Sequence, residues 1–474
     1  MSLKKTVAIV AAAGALAAIS VPAMALENEF HGIYNLKFFV SDYENGGTTQ
    51  ISPQAFRHEN KANNFFEQRA RIQYSAKAND DLKLVTQFEL DSKFGGDKTG
   101  KYGISSDAGV FDADGISLET KHVYLDFNLG KSVNVRTGIQ PIKDSLKGVF
   151  VDADLAGVLA TSKMGPATVS GGYYRFKTES SLLTTGNATT AAAPGTGVNG
   201  TQSTSFFSNT SVLGHDNADL FMLEGKLAVN KNINVGASYY LLSDYSTTTP
   251  VTFHVVGLNA DAKVGPATVS GFVAAQTGYV AAAKRKAISA YAANVAGKVA
   301  IGPGTLRTAA LYLTGDGDAN NGTNTGWNST ASTTYVEGNM FLLVRTGVGG
   351  TSNDRTLTGA NFGVGNNGII VYTLGYDATI TPKLYANANA GVLWAAKNAG
   401  APNDKVTGKA NASNYRGTEV NLETGYKVYD NLTAKVQLAY VFLGGFYKHT
   451  SIDADKSKTP EDPYTARVAL SYAF

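Results

Sequence analysis

The stretch RARIQYSAKANDDLKLVTQFELD, residues 69–91, decides the fold of this chain. From Arg69 to Lys77, charged or polar residues alternate with small or apolar ones, and the triplet Asn79-Asp80-Asp81 then interrupts the alternation before it resumes. Side chains of a strand point to opposite faces in turn, whereas a helix would spread these residues around its circumference. The stretch therefore predicts a β-hairpin with one apolar and one polar face.

The same hairpin unit recurs along the chain. The heptapeptide GPATVSG occurs at residues 165–171 and again at 265–271, each time before a run of small, aromatic and β-branched residues. A Gly-Pro pair reverses the chain, because Pro fixes φ near a turn value and Gly accepts what the other corner requires. We predict eight hairpins, with short turns at Asn79-Asp80-Asp81, Gly130-Lys131-Ser132, Gly165-Pro166, Asn230-Lys231-Asn232, Gly265-Pro266, Gly302-Pro303, Thr381-Pro382 and Tyr429-Asp430-Asn431.

The first 25 residues have the pattern of a cleaved secretory signal. Lys4 and Lys5 precede an apolar run at residues 7–19, and the small-residue triplet Ala23-Met24-Ala25 follows. The run is shorter than the ~20 apolar residues that a membrane-spanning helix needs. We therefore predict an exported protein with a signal at residues 1–25 and a mature chain from residue 26.

Composition narrows the class of exported protein. The chain contains no Cys, so it uses no disulfides. Removing Lys4 and Lys5 takes the formal charge from +3 to +1, and the absence of any Lys/Arg cluster disfavours a nucleic-acid partner. After the signal no apolar run is long enough for a spanning helix. If the mature chain crosses a membrane, it must do so as a closed barrel, in which every backbone group is satisfied.

The spacing of the hairpins predicts how such a barrel is built. Long polar stretches alternate with the short turns, which is the asymmetry of outer-membrane barrels. Eight hairpins supply sixteen strands, and the alternating segments at residues 30–40 and 464–474 supply two more. We therefore predict one domain, residues 26–474, that is all-β: a transmembrane antiparallel up-and-down barrel of about 18 strands, with 16 as the alternative count. Residues 335–344 are the segment whose pairing leaves the count open.

The C-terminus carries the most diagnostic pattern. The last segment, YTARVALSYAF, alternates to its end at Phe474. With this terminus and the hairpins at residues 69–91 and 123–140, the chain resembles the Gram-negative outer-membrane porin family. That resemblance implies that the last strand, with Tyr472 and Phe474, is an assembly signal for the barrel-assembly machinery. It also implies location in the outer membrane and a homotrimer.

The barrel interpretation predicts a function. The outer face of such a barrel contacts lipid and carries aromatic girdles, whereas about 18 strands enclose an aqueous lumen. We therefore expect a channel for passive diffusion of small hydrophilic solutes and ions. Candidate girdle residues are Tyr34, Phe38, Tyr239, Tyr372, Tyr426 and Tyr440.

One loop is a candidate for the narrowest part of the lumen. The resemblance to porins implies that the loop after the fifth strand, PIKDSLKGVFVDAD at residues 141–154, folds inward. Selectivity arises at the narrowest ring of charges rather than from net charge. We expect the carboxylates of this loop to face a basic ladder across the constriction; the alternative is an ordinary outer loop. The candidate residues are Arg69, Arg71 and Arg136 on the basic side, and Lys143, Asp144, Lys147, Asp152 and Asp154 in the loop.

Three other functions are alternatives to a porin. The six His show no metal-ligand spacing, so neither a metal nor a cofactor is expected. An enzyme is disfavoured, because His122 and Asp126, which share one face, are two steps apart and too distant for a dyad. A hydrophobic-substrate channel would need a plug before the first strand, yet Phe30 enters a strand almost at once. A barrel that serves as a sleeve around a partner, such as an electron-transfer cytochrome, stays open at this point.

Overall fold

The structure is a computed structural model. The predicted signal, residues 1–25, and most of the long polar loops lie outside the residues it describes. Those residues are 26–44, 61–95, 118–180, 213–246, 249–281, 286–317, 322–330, 335–344, 356–358, 367–398, 402–451, 455 and 457–474.

Nearly all regular structure in this part of the chain is β. Two short 3-10 turns, Val336–Gly338 and Gly445–Tyr447, accompany the strands. No helix among the described residues is long and apolar enough to span a membrane. The strands are β1 Glu27–Ser41, β2 Asn63–Asn79, β3 Leu82–Lys93, β4 Leu118–Leu129, β5 Val133–Lys143, β6 Asp152–Met164, β7 Ala167–Ser180, β8 Leu213–Asn230, β9 Ile233–Asp244, β10 Val251–Val264, β11 Ala267–Val280, β12 Lys286–Ile301, β13 Gly304–Leu313, β14 Thr323–Asn324, β15 Ile369–Thr379, β16 Leu384–Trp394, β17 Tyr415–Tyr429, β18 Leu432–Leu443 and β19 Tyr464–Ala473.

The strands close into a barrel. Each long strand pairs antiparallel with its neighbours along the chain, and β13 pairs with β15 because β14 contributes only two residues beside β12. The first and last strands pair from Ile33↔Ala473 to Ser41↔Thr465, which leaves no open edge. The predicted up-and-down antiparallel barrel is confirmed, with 18 strands in the closed cycle. Residues 335–344 lie outside the sheet and so add no strand to this count.

All eight predicted hairpins are present. Gly165 and Gly265, which begin the two copies of GPATVSG, both have φ of 59°, and Gly302 has φ of 58°. A positive φ at the first corner suits a two-residue hairpin turn and favours Gly, which has no Cβ to clash. The short turns lie at the end of the barrel that also holds the start of β1 and the end of β19. The strand ends that flank the longer connections lie at the opposite end.

The two faces of the sheet differ in chemistry. Leu258 on β10 and Val273 on β11 are 57% and 58% exposed, whereas the opposite face of the sheet carries buried polar side chains such as Glu224, Ser238 and Asn294. Because alternate residues point to opposite faces, the exposed apolar positions form the outer wall and the polar ones line the interior. The barrel therefore has an apolar outside, and its inside carries polar and charged side chains beside an apolar region against which residues 144–151 and 335–344 pack.

Aromatic side chains gather near both ends of the outer wall. At the long-loop end, Phe66 contacts Phe38 and Phe94, with ring centroids 4.6 and 5.1 Å apart. At the short-turn end, Phe30 lies 5.0 Å from Tyr74. Such rings suit the two polar boundaries of a lipid bilayer. Exposed members of the candidate girdle set are Tyr239, Tyr372, Tyr426 and Tyr440.

Candidate functional site

Two of the three candidate basic residues are neutralised by neighbours on the interior wall. The Arg69 guanidinium forms a two-pronged contact with Asp91, at 2.6 and 2.5 Å, and lies 3.3 Å from Glu89. Arg71 donates from Nε to the same Glu89 carboxylate. Strands β2 and β3 place these four side chains on one face, because Arg69 lies opposite Asp91 and Arg71 opposite Glu89. Paired guanidinium and carboxylate groups contribute little net charge to the lumen.

Arg136 differs from the other two arginines. It lies on the interior face of β5, with its guanidinium carbon 5.9 Å from the centre of the Tyr124 ring. The carboxylate opposite it, Asp126, receives the amide of Asn134 at 2.6 Å and lies 3.6 Å from the Lys83 amine. Within the described part of the chain no carboxylate forms an ion pair with Arg136. It therefore offers a positive charge to the interior.

The connection between β5 and β6, residues 144–151, is organised around Asp144. Its carboxylate accepts the backbone N–H groups of Leu146, Gly148 and Phe150, each at 2.8 Å, and that of Val151 at 2.5 Å. Burial raises the pKa of Asp144 to about 6, although the four N–H donors oppose this by favouring the charged form. Asp144 is therefore a structural centre of the loop, and the expectation that it faces the arginines is wrong.

The loop folds into the barrel, where it packs against the interior faces of distant strands. Leu146, Val149 and Phe150 are fully buried. The Phe150 ring lies 5.3 Å from Tyr240 on β9 and 5.9 Å from Phe253 on β10. Tyr240 and Phe253 are interior positions on strands four and five places along the wall from β5. Residues 144–151 therefore enter the barrel. Apolar contact with the wall holds them there.

Lys147 lies at the tip of the inward loop. Its amine is 3.2 Å from the Ser270 hydroxyl, 3.6 Å from Asp261 and 3.2 Å from Glu337. Ser270 is the fourth residue of β11, counted from the short-turn end. The loop tip therefore passes well beyond the middle of the barrel.

The remaining charged residues of the candidate loop lie elsewhere. Asp152 and Asp154 belong to β6, and the unbroken alternation along that strand places them on the same outer face as the exposed Val158. Asp152 accepts a hydrogen bond from Lys143 at 2.6 Å. Asp154 contacts Lys121 and, at 2.7 Å, His122, both on β4. The expected pairing of Asp152 and Asp154 with the arginines across the lumen is therefore wrong.

A second segment inside the barrel, residues 335–344, is one that sequence reasoning missed. Glu419 on β17 accepts the backbone N–H groups of Phe341, Leu342 and Leu343 at 2.7, 2.9 and 2.8 Å. At the other end of the segment, Asn294 on β12 donates to the Tyr335 hydroxyl at 2.9 Å. The segment thus bridges strands that lie far apart on the wall.

The sequence held one signal for this segment. Residues 340–344, MFLLV, are five apolar residues in a row, without the alternation that a strand in this barrel requires. All five are buried. The 18 strands already complete the wall, so this apolar run has no place in the sheet. It is removed from water by packing inside the barrel.

A third stretch, residues 322–330, lies in the same β13–β15 connection as residues 335–344. It is hydrogen-bonded to the inward loop at residues 144–151. Ser329 donates from its hydroxyl to the Val149 carbonyl at 2.8 Å, and Trp327 donates from Nε1 to that carbonyl at 3.3 Å. Thr330 donates its backbone N–H to the Phe150 carbonyl at 2.9 Å. Residues 144–151, 322–330 and 335–344 therefore form one internal assembly.

The C-terminal residues complete the barrel seam. Phe474 donates its N–H to the Gly32 carbonyl at 3.0 Å and accepts the Gly32 N–H at 2.8 Å. The Phe474 ring covers Gly32 so closely that a Cβ there would lie 2.3 Å from the ring. Tyr472 lies 5.5 Å from Phe474, and both rings are on the exposed outer face. Within the described ranges no cluster of three or more His, Asp or Glu could hold a metal ion.

Comparisons with known proteins agree with this geometry at the level of the fold. No protein-family model and no curated protein matches the sequence. Among solved structures, the outer membrane protein OpdK from Pseudomonas aeruginosa is similar, with a TM-score of 0.54 and 11% identity over 94% of this chain and 98% of that chain. OpdL from the same organism gives 0.51 and 10%, covering 94% and 99%. OccK9 (OpdG), also from that organism, gives 0.51 and 13%, covering 94% and 98%. The chain therefore has the fold of a Gram-negative outer-membrane porin.

Proposed function

We propose that the protein is an outer-membrane porin, a water-filled channel through which small hydrophilic solutes and ions diffuse passively. The observation that carries this proposal is the closed 18-stranded wall with an apolar outside and a charged inside. An apolar wall of this kind suits lipid, and a barrel of this strand number is wide enough for water. In this proposal the chain is exported with loss of residues 1–25 and is inserted into the Gram-negative outer membrane through its last strand. A homotrimer belongs to the same proposal.

The constriction is proposed to lie between the two inward segments and the wall formed by β2 to β5. Arg69, Arg71 and Arg136 are on that wall, and Lys147 is at the tip of the facing loop. Arg136 is expected to have the greatest influence on ions, because among the described residues no carboxylate forms an ion pair with it and the opposite Asp126 binds Asn134 and Lys83 instead. The solved structures include OpdK with vanillate, a small organic anion. Vanillate is therefore a useful probe solute for this channel.

Liposome swelling tests the proposal directly. Purified protein reconstituted into liposomes is expected to admit glucose and vanillate and to exclude a large dextran. Replacing Arg136 by Gln is expected to lower the anion/cation permeability ratio by about twofold to fivefold, because one lumen charge in water-accessible surroundings is removed. Arg136→Lys, which keeps a positive charge at this position, is the matched control and should leave the ratio close to that of wild type. Liposomes that stay impermeable to every solute would contradict the proposed function.

The alternatives have weaker support. A sleeve around a partner such as an electron-transfer cytochrome, or a channel for hydrophobic substrates, needs interior room for the partner or an apolar path. The interior here holds the chain's own segments 144–151 and 335–344 and a wall with Arg69, Glu89 and Arg136. Copurification of a haem protein, together with an absence of solute flux, would favour the sleeve.

A further inference from the structure

The two inward segments are anchored independently and then meet. Residues 144–151 are organised by the Asp144 carboxylate, and residues 335–344 are held to β17 by Glu419. Between them, the Lys147 amine lies 3.2 Å from a Glu337 carboxylate oxygen. Lys147 comes from the β5–β6 connection and Glu337 from the β13–β15 connection. The ion pair therefore joins two elements that approach the interior from different parts of the wall.

The surroundings of this pair differ from those of the other contacts between the two connections. Trp327, Ser329 and Thr330 hold the base of the loop through the carbonyls of Val149 and Phe150, in a buried environment. The side chains of Lys147 and Glu337 are 27% and 17% exposed, and neighbouring Asp261 is 54% exposed. The tip is thus held by charge at a place that water reaches, whereas the base is held by buried hydrogen bonds.

Backbone conformation at the tip adds to this picture. Lys147 has φ of 65°, which is in the left-handed region that non-glycine residues adopt uncommonly. The contacts of the Lys147 amine with Glu337 and Ser270 compensate for the strain of this backbone conformation. Loss of the contacts therefore leaves the strain without compensation. The tip then gains freedom to move while the base remains in place.

We propose that the Lys147–Glu337 pair is an electrostatic latch that holds the tip of the inward loop and thereby fixes the free cross-section of the channel. This inference rests on the proposed porin function. With the latch closed, current passes at one dominant level. With the latch open, the tip samples several positions, and each position gives a different free cross-section.

Single-channel recording tests the latch. Glu337→Gln keeps the shape of the side chain and removes its charge, and it is expected to raise the frequency of transitions between current levels by roughly fivefold, the population change expected for a partly exposed ion pair. Glu423→Gln is the matched control: Glu423 lies on β17 and bonds Tyr385 and Gln437, with no contact to either inward segment in the described structure. It should retain the wild-type frequency. An unchanged frequency in Glu337→Gln, or an equal rise in both variants, would overturn the latch.

The absence of Cys allows a chemical rescue. Lys147→Cys should show the same increase in transitions as Glu337→Gln. Reaction with 2-aminoethyl methanethiosulfonate, which restores a positive amine, should return the wild-type trace, whereas the 2-sulfonatoethyl reagent should not. Equal effects of both reagents would contradict a charge latch. Failure of wild-type protein to conduct at all would contradict the proposed function. Wild-type conduction, with Glu337→Gln and Lys147→Cys showing the wild-type frequency of transitions, would contradict only this inference.

Discussion

Two single residues, Asp144 and Glu419, hold the segments inside the barrel through their carboxylates. Asp144 accepts four backbone N–H groups and Glu419 accepts three, and both side chains are buried. Backbone donors inside a protein need partners, because an unsatisfied buried N–H costs about 1–3 kcal/mol. An irregular segment inside a barrel has no neighbouring strand to supply those partners. One carboxylate with several acceptor positions therefore takes the place of a strand.

Asp144→Ala should release the loop that it organises. Removing the carboxylate leaves four N–H groups without their acceptor, and we expect hydrogen exchange at residues 146–151 to accelerate roughly 100-fold, the equivalent of about 3 kcal/mol of local opening. Asp144→Asn, which retains one acceptor oxygen, should give an intermediate acceleration. Exchange measured by mass spectrometry on detergent-solubilised protein reports this.

Asp152→Ala is the control for that experiment. Its interaction with Lys143 lies on the partly exposed outer face, so its loss should change exchange at residues 146–151 by less than about 1 kcal/mol equivalent. The conductance of Asp152→Ala should also match that of wild type. Equal acceleration in Asp144→Ala and Asp152→Ala would show that Asp144 is not the centre of the loop.

Among the strands, the two identical GPATVSG copies have different surroundings. The second glycines of the two GPATVSG copies, Gly171 on β7 and Gly271 on β11, occupy equivalent positions after their turns. A Cβ at Gly171 would meet no atom within 4 Å, whereas one at Gly271 would lie 2.5 Å from the Asn294 carbonyl oxygen. The neighbouring strand, and not the heptapeptide, decides whether glycine is required.

Alanine at these two positions should therefore have unequal effects. Gly271→Ala should lower the free energy of unfolding by about 1–3 kcal/mol, because backbone of β12 must shift. Gly171→Ala should stay within about 0.5 kcal/mol of wild type or be slightly stabilising, because glycine is unfavourable inside a strand. Urea titration of the protein in detergent measures both. Equal effects would contradict the close approach of β11 and β12.

The elements also show why part of the structure was predictable. Hairpins are local, so alternation and turn residues such as Gly165-Pro166 predict them without knowledge of the rest of the chain. The path of residues 144–151 depends on Tyr240 and Phe253, about 100 residues away, and no local pattern contains that information. The misplacement of Asp154 has a different cause. Asp154 fits the alternation of β6, since it lies on the face opposite to that of Leu155. Its charge, however, favoured its assignment to the loop.

Closure of the barrel is a property of the whole molecule. The seam between β1 and β19 joins residues more than 400 positions apart in the chain, and its last hydrogen bonds are those between Gly32 and Phe474. A barrel has no exposed edge only when this seam forms. The chain terminus therefore has a structural role in addition to the proposed role in assembly.

Deleting Phe474 separates these two roles. Loss of its two backbone hydrogen bonds should lower stability in detergent by about 2 kcal/mol. If the terminus is also an assembly signal, the amount of folded protein in the outer membrane should fall severalfold more than that loss of stability explains. Phe474→Trp should restore the amount. A membrane yield that simply follows the stability measured in detergent would contradict the assembly role.

The charged interior of this closed barrel is proposed to be a continuous water-filled path across a membrane. Planar-bilayer recording of the purified wild-type protein tests it most directly. Discrete, uniform current steps are expected as single barrels insert, with a current proportional to voltage near zero and to salt concentration. Insertion of folded barrels without any current steps would contradict it, because the inward segments would then close the interior.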